Sequence, residues 1–227
     1  MDNRLNPILS LVSIAIMQTK HPVETTYLNV ASIAACTHAL GPGARGVVWV
    51  QGCPLNCRGC LAPNWIPFIR ASLLTPEEVF SHLDLDSIGG LTFSGGEPME
   101  QAAGLVELAS LARRKKDLDL ICFTGYRYER LLANPPNAGV PELLAEVDVL
   151  IDGPFIESLA GSVGLRGSSN QRIIHLTSRL KDYDLESDQR RIEITVAHGE
   201  LGFIGIPTPG MLTALQKAGH TFRERMR

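Results

Sequence analysis

Three thiols carry the densest chemistry in the sequence. Cys53, Cys57 and Cys60 lie in Gly-Cys-Pro-Leu-Asn-Cys-Arg-Gly-Cys, residues 52–60, at C-x3-C-x2-C spacing. Thiolates are soft ligands that suit iron–sulfur clusters. A loop this short can wrap one inorganic cluster and put all three sulfurs on it. A four-iron cubane held by three cysteines keeps one iron without a protein sulfur, and an open metal position is where a small molecule binds and reacts. Gly52 and Gly59 let the backbone bend closely around a bulky group. Two other readings stand beside this one. A zinc site would need a fourth ligand from Cys36 or His38, and structural zinc sites usually pair two separated cysteine or histidine units. Three unrelated buried cysteines, acting as small hydrophobes, have no reason to share one tight loop.

The elements that must position this loop follow from the hydrophobic pattern. Tyr27 to Ile33 reads as an edge strand or hairpin arm, and Gly41-Pro42-Gly43-Ala44-Arg45-Gly46 as a turn segment. Gly46 to Gln51 is a buried strand that runs directly into the cysteines. Thr75-Pro76-Glu77-Glu78 starts a helix, with Thr as N-cap and acids in the first turn. Leu91 to Phe93 is a strand, followed by Ser94-Gly95-Gly96-Glu97-Pro98 and a helix over Met99 to Lys115. The apolar face expected on that helix is Ala103, Val106, Leu108, Ala109 and Leu111. Leu118 to Phe123 is the next strand, ending in Thr124-Gly125-Tyr126. Short helices through Leu132 and near Pro141 to Ala145 precede a strand at Val147 to Ile151, ending in Asp152-Gly153; a further strand spans Arg172 to Leu176. Strand–helix alternation of this kind argues an α/β fold with a parallel sheet. Four successive strands end in glycines with polar or ligand residues. In parallel sheets the carboxyl ends share one face, and sites are built there. One site holding the cluster, with the glycine loops beside it, is therefore expected.

Composition sets the outer bounds. The chain has 227 residues, a formal net charge of −3 and five cysteines. That length fits one domain with a small appendage. The charge gives no broad reason to bind nucleic acid or an anionic membrane. An odd cysteine count with three clustered is no disulfide framework, and reads as a cytoplasmic protein with a metal site. Cys122 reads as core. The basic run Arg113 to Lys116 suits the negative end of a helix dipole. Residues 1–25 form an N-terminal extension. Its apolar stretch Pro7 to Met17 resembles a secretion signal without a clear cleavage site, is too short to span a bilayer, and leaves open a true start at Met17. After residue 177 a polar segment, Ser178 to Arg191, reads as a solvated linker. A hairpin over Ile192 to Ile206 turns at His198-Gly199-Glu200, and a helix over Pro209 to Ala218 follows.

The cysteine loop and the Ser-Gly-Gly-Glu-Pro turn together resemble the radical S-adenosylmethionine superfamily. With Gly41-Pro42-Gly43-x-Arg45, Thr124-Gly125-Tyr126, Val149-Leu150-Ile151-Asp152-Gly153 and Arg166-Gly167-Ser168-Ser169-Asn170-Gln171, the stretch from Tyr27 to Leu176 is most similar to the activating enzymes of anaerobic ribonucleoside-triphosphate reductase. Leu165 stands where that family often has Trp. The resemblance implies a partial, open (β/α) barrel of mostly parallel strands over residues 26–177, with residues 178–227 as linker and C-terminal β-hairpin/helix appendage. It implies a 4Fe–4S cluster on Cys53, Cys57 and Cys60, and S-adenosylmethionine as second cofactor. Gly95, Gly96 and Glu97 would hold the methionine ammonium, and Gly59, Thr124, Gly125 and Tyr126 would line the cofactor. Asp152 and Asn170 would contact ribose or adenine. No catalytic residue beyond cluster and cofactor is implied. The implied partners are a glycyl-radical enzyme as protein substrate and a flavodoxin or ferredoxin type reductant. A radical enzyme acting on a peptide or small molecule, and a non-enzymatic iron–sulfur electron carrier, are the competing readings. The Gly-Gly-Glu turn argues against the carrier, which has no use for a methionine-binding site.

Overall fold

The computed structural model describes residues 26–161, 164–187, 190–197, 200–208, 210–214 and 217. The expectations for residues 1–25 and for the His198-Gly199 turn lie outside these, as does part of the expected C-terminal helix, of which 210–214 and 217 are helical. The chain runs β1 (Leu28–Thr37), β2 (Arg45–Val50), β3 (Ser72–Leu74), α1 (Pro76–Ser81), β4 (Gly90–Gly95), α2 (Ala102–Lys115) and β5 (Asp119–Phe123). It continues through α3 (Tyr128–Ala133), α4 (Val140–Glu146), β6 (Val149–Asp152), β7 (Arg172–His175), β8 (Ile192–Ala197) and β9 (Glu200–Gly205).

Seven strands form an open sheet in the order β3-β1-β2-β4-β5-β6-β7. Its centre, β2-β4-β5-β6, is parallel throughout. The flanks are antiparallel: β1 with β2 and β3, and β6 with β7. Of the expected partial barrel, the structure establishes this open mixed α/β sheet with its parallel centre. β1 is the hairpin arm, not the edge. The edge is taken by β3, which at three residues is too short to show a period. β8 and β9 pair as a separate two-stranded sheet.

Strand alternation sorts the central residues onto two faces. Val48, Val50, Leu91, Phe93, Leu120, Cys122 and Leu150 face one core, shared with Leu105, Leu108, Ala109 and Ala112 of α2. Val47 and Trp49 join a second cluster, and Ile121, Val149 and Ile151 a third. Cys122 is core, as its apolar surroundings in sequence require. The buried stripe of α2 begins at Ala102 and recurs at Leu105, Leu108, Ala109 and Ala112, while Ala103 is exposed. Of the expected face, Leu108 and Ala109 are buried and Val106 and Leu111 half-buried, while Ala102, Leu105 and Ala112 complete the stripe in place of Ala103. The helix enters from a 3-10 turn, Pro98–Gln101, and its first residue, Ala102, is already fully buried. Each leucine on that stripe contributes roughly 1.5–3 kcal/mol by leaving water.

Local signals explain the ends. Thr75 and Glu78 form a complete capping box on α1. The basic run closes α2, where Arg113 pairs with Glu146 and Asp148, each at 2.8 Å, and Lys116 donates to the Leu85 carbonyl at 2.9 Å. Arg45, fully buried, braces the amino ends of β2, β4 and β5. It bonds Thr92 Oγ1 at 2.8 Å and the Leu91 carbonyl at 2.6 Å, and pairs with Asp119 at 2.5 Å. The segment read as a solvated linker carries two buried leucines. Leu180 and Leu185 pack against Ile121, Val149 and Ile151 on the face that no α-helix of this order covers.

Candidate functional site

The four glycine-bearing strand ends meet as the parallel order requires. β2, β4, β5 and β6 are consecutive neighbours, so their carboxyl ends deliver the cysteine loop, Ser94 to Glu97, Thr124-Gly125 and Gly153 to one rim. A cavity of about 370 Å³ opens there, lined by Cys53, Cys57, Cys60, Gly95, Gly96, Glu97, Thr124, Gly125 and Gly153. This is the size of a small-ligand or cofactor pocket.

Backbone contacts lock the cysteine loop to the Gly-Gly-Glu turn. Gly96 N–H donates to the Val50 carbonyl at 2.7 Å, and Glu97 N–H to the Gly52 carbonyl at 2.9 Å. A methyl on Gly96 would lie 2.7 Å from the Gly52 carbonyl carbon and closer still to its oxygen. Gly95 has φ 110° and backs directly on Val50. The two loops can approach this closely only because these residues have no side chain. On its other side the cysteine loop is held by Gly52 and Cys53 N–H donating to the Trp65 and Ile66 carbonyls, both at 2.9 Å.

Glu97 is 1% exposed, and its carboxylate ties the turn after β4 to the turn after β5. Oε1 accepts from Thr124 Oγ1 at 2.7 Å and from Met99 N–H at 3.1 Å, while Oε2 accepts from Gly125 N–H at 2.8 Å. Burial pushes this carboxyl up to about 7, and the three donors pull the other way. Two carboxylate oxygens offer about four acceptor sites, so a cationic ligand group can still be accepted, and it would favour the charged form.

The three cysteines are free and half-buried. Burial raises the Cys53 thiol to about 11 and raises Cys60 as well. Among the described residues no three His, Cys, Asp or Glu side chains converge on a single metal-ion position. Neither fourth ligand of the zinc reading joins the thiols: Cys36 packs against the helix-side core, and His38 lies 3.7 Å from Glu193. Three thiols lining one roomy cavity without converging on a single ion position, and forming a soft donor set, fit a cluster better than a lone ion.

Four expected cofactor residues stand off the cavity wall. Gly59 lies in the loop with the Glu157 side chain filling the space beside it. Tyr126 is 5% exposed on the helix side, donating to Glu100 at 2.6 Å under the Arg130 guanidinium. Asp152 is buried and engaged by Arg172, Arg127 and, at 2.8 Å, by Tyr128 N–H. Asn170 donates to the Pro154 carbonyl at 2.8 Å, while its Oδ1 is buried without a partner among the described residues. Sequence reasoning missed Phe123, Phe155 and Gln171 in the lining. Phe123 was signalled by alternation with Cys122. Gln171 accepts from Gly167 N–H at 2.8 Å and donates to the Gly153 carbonyl at 2.9 Å, which joins two rim loops.

Comparison with known proteins covers the same part of the chain. The family described as the 4Fe-4S single cluster domain matches residues 39–174. The anaerobic ribonucleoside-triphosphate reductase-activating protein of Enterobacteria phage T4 is 33% identical over 165 residues, 69% of this chain and 100% of the relative. The proteins of that name from Escherichia coli K12 and Vibrio cholerae are 30% and 34% identical, over 60% of this chain and 91% and 89% of their own lengths. With three thiols, a glycine-built rim and a matched cluster domain in one place, the chain belongs to the family of anaerobic ribonucleoside-triphosphate reductase-activating proteins.

Proposed function

We propose that this protein is a radical S-adenosylmethionine enzyme that installs a glycyl radical in a partner such as an anaerobic ribonucleotide reductase. Cys53, Cys57 and Cys60 would hold a 4Fe–4S cluster through three irons. When bound, cluster and cofactor would supply one-electron cleavage of the sulfonium carbon–sulfur bond, giving methionine and a 5′-deoxyadenosyl radical that takes a hydrogen atom from the target glycine. The electron comes from a flavodoxin or ferredoxin type reductant. The names of the relatives suggest the partner, and the setting is cytoplasmic; no helix among the described residues is long and apolar enough to cross a membrane.

This chain's residues bind, orient and shield. The Gly95-Gly96-Glu97 turn presents backbone carbonyls and a carboxylate to an ammonium group. Thr124 and Gly125 hold that carboxylate from the next strand end and flank the cofactor. Asn170 stands off the cavity wall, and its buried Oδ1, unpartnered among the described residues, would have to turn toward the cavity to contact ribose or adenine. Gly59, Tyr126 and Asp152 act from behind by shaping the loops. Residues 26–177 form the cluster and cofactor domain, residues 178–227 an appendage on it, and residues 1–25 an extension.

A single observation carries the reading: the three thiols and the Gly-Gly-Glu turn open onto one cavity at the carboxyl ends of parallel strands. An electron carrier needs no chamber of about 370 Å³ beside its cluster. The test is anaerobic incubation of the reconstituted, reduced protein with S-adenosylmethionine. Formation of 5′-deoxyadenosine that disappears in Cys57→Ala is expected. No product from a preparation with an intact, reduced four-iron cluster would sink the proposal.

A further inference from the structure

The hairpin β8–β9 lies beyond residues 39–174, which match the cluster domain, yet it reaches the cavity. Phe203, Gly205 and Ile206 line the same space as the three cysteines. Two independent attachments hold it there. Ile204 and Ile206 pack into the cluster of Leu40, Trp49, Leu61 and Trp65, which flanks the cysteine loop. On the other strand, Glu193 accepts from Thr37 Oγ1 at 2.6 Å and from His38 N–H at 2.7 Å, clasping the hairpin to the end of β1. Phe203 is 37% exposed although it is large and apolar, and its cross-strand partner Ile194 is 56% exposed. Phe203 thus both lines the cavity and remains open to solvent at its edge.

We propose that strands β8 and β9 form a wall of the reaction chamber, held in place by the Glu193 clasp, and that Phe203 is the residue on it that restricts access to the cysteine side. The inference rests on the cavity being the reaction chamber described above. A radical intermediate needs a site closed to water and to stray hydrogen donors. The strand-end loops supply the polar floor, and the hairpin adds an apolar side. Bulk at position 203 then sets how wide a segment reaches the cofactor. A glycine-bearing backbone is the slenderest peptide that can pass.

The test is thiol labelling of the full-length, metal-free chain, read by mass spectrometry at Cys53 and Cys60 with Cys36 as internal reference. A bulky maleimide and the small iodoacetamide are compared. Glu193→Ala removes both clasp bonds, and the bulky reagent should then label Cys53 and Cys60 about tenfold faster, the population shift expected from losing a charge-assisted hydrogen bond. Phe203→Ala should raise the bulky rate by several-fold, leave iodoacetamide nearly unchanged, and let Phe203→Leu recover most of the effect. Unchanged bulky rates in both variants would overturn the proposal. So would an equal rise with both reagents at all three cysteines, which would report general unfolding. Because labelling needs no cluster, a wild-type protein that fails to cleave S-adenosylmethionine would refute the enzymatic reading while leaving the contrast between variants readable.

Discussion

Gly96→Ala isolates the contact on which the site's geometry depends. The new methyl would lie 2.7 Å from the Gly52 carbonyl carbon, whereas ordinary contacts begin at 3.4 Å. Its obstacle is backbone, not the end of a flexible side chain, so relief requires the cysteine loop and the Gly-Gly-Glu turn to separate by roughly 1 Å. That movement breaks the Glu97 N–H to Gly52 carbonyl bond of 2.9 Å. A lost hydrogen bond and an overpacked contact together cost about 3 kcal/mol, or roughly 6–12 °C in melting temperature for a chain of this size. The same displacement shifts the thiols relative to the turn, and misplacement of about 1 Å in a reacting site can cost on the order of 100-fold in rate. Thermal unfolding of the metal-free chain and iron content after anaerobic reconstitution read the two effects. Gly89→Ala is the control, since a methyl there meets nothing within 4 Å. If Gly96→Ala melts with the control and binds as much iron, the two loops do not depend on this close approach and the reasoning fails.

Arg45→Met should cost about 3 kcal/mol, because it leaves Asp119 and the Thr92 hydroxyl short of their buried partner; a shift in urea midpoint worth less than about 1 kcal/mol would show that the pair is dispensable. Glu97 gives a pH signature. Its folded-state value of about 7 lies above the ordinary carboxyl value of 4.5, so the folded chain holds the proton longer than the unfolded one. The stability it favours is fully present below pH 4.5 and lost as pH rises through about 7, a fall of about 3 kcal/mol. Glu97→Gln should remove that slope from the metal-free chain, and an unchanged pH profile of unfolding would contradict the assignment.

What could be read from sequence divides along a physical line. Period-two alternation in strands, glycines at strand ends and the Thr75 cap are local signals, and each located its element. The common rim followed from them, because parallel neighbours must end on the same side. Local spacing does not say how deep a residue sits or which side of a turn it faces. Tyr126, two residues after Thr124, turns away to Glu100, and Asp152 at a strand end is consumed by Arg172 and Arg127. Arg45 belongs to a recognisable motif yet sits at the opposite end of the strands from the thiols, where it holds three strands in register. The tail was the least legible part, since nothing in an isolated hairpin pattern says which surface it covers. Leu180, Leu185 and Ile206 answer that question by burying themselves on the sheet face opposite α1 to α4. With α1 to α4 packed on one side, the second apolar face of the sheet needs another cover. Here that cover is the C-terminal segment. The cavity lies where this cover meets the strand ends, so residues after β7 contribute both to the core, through Leu180, Leu185 and Ile206, and to the cavity lining, through Phe203, Gly205 and Ile206.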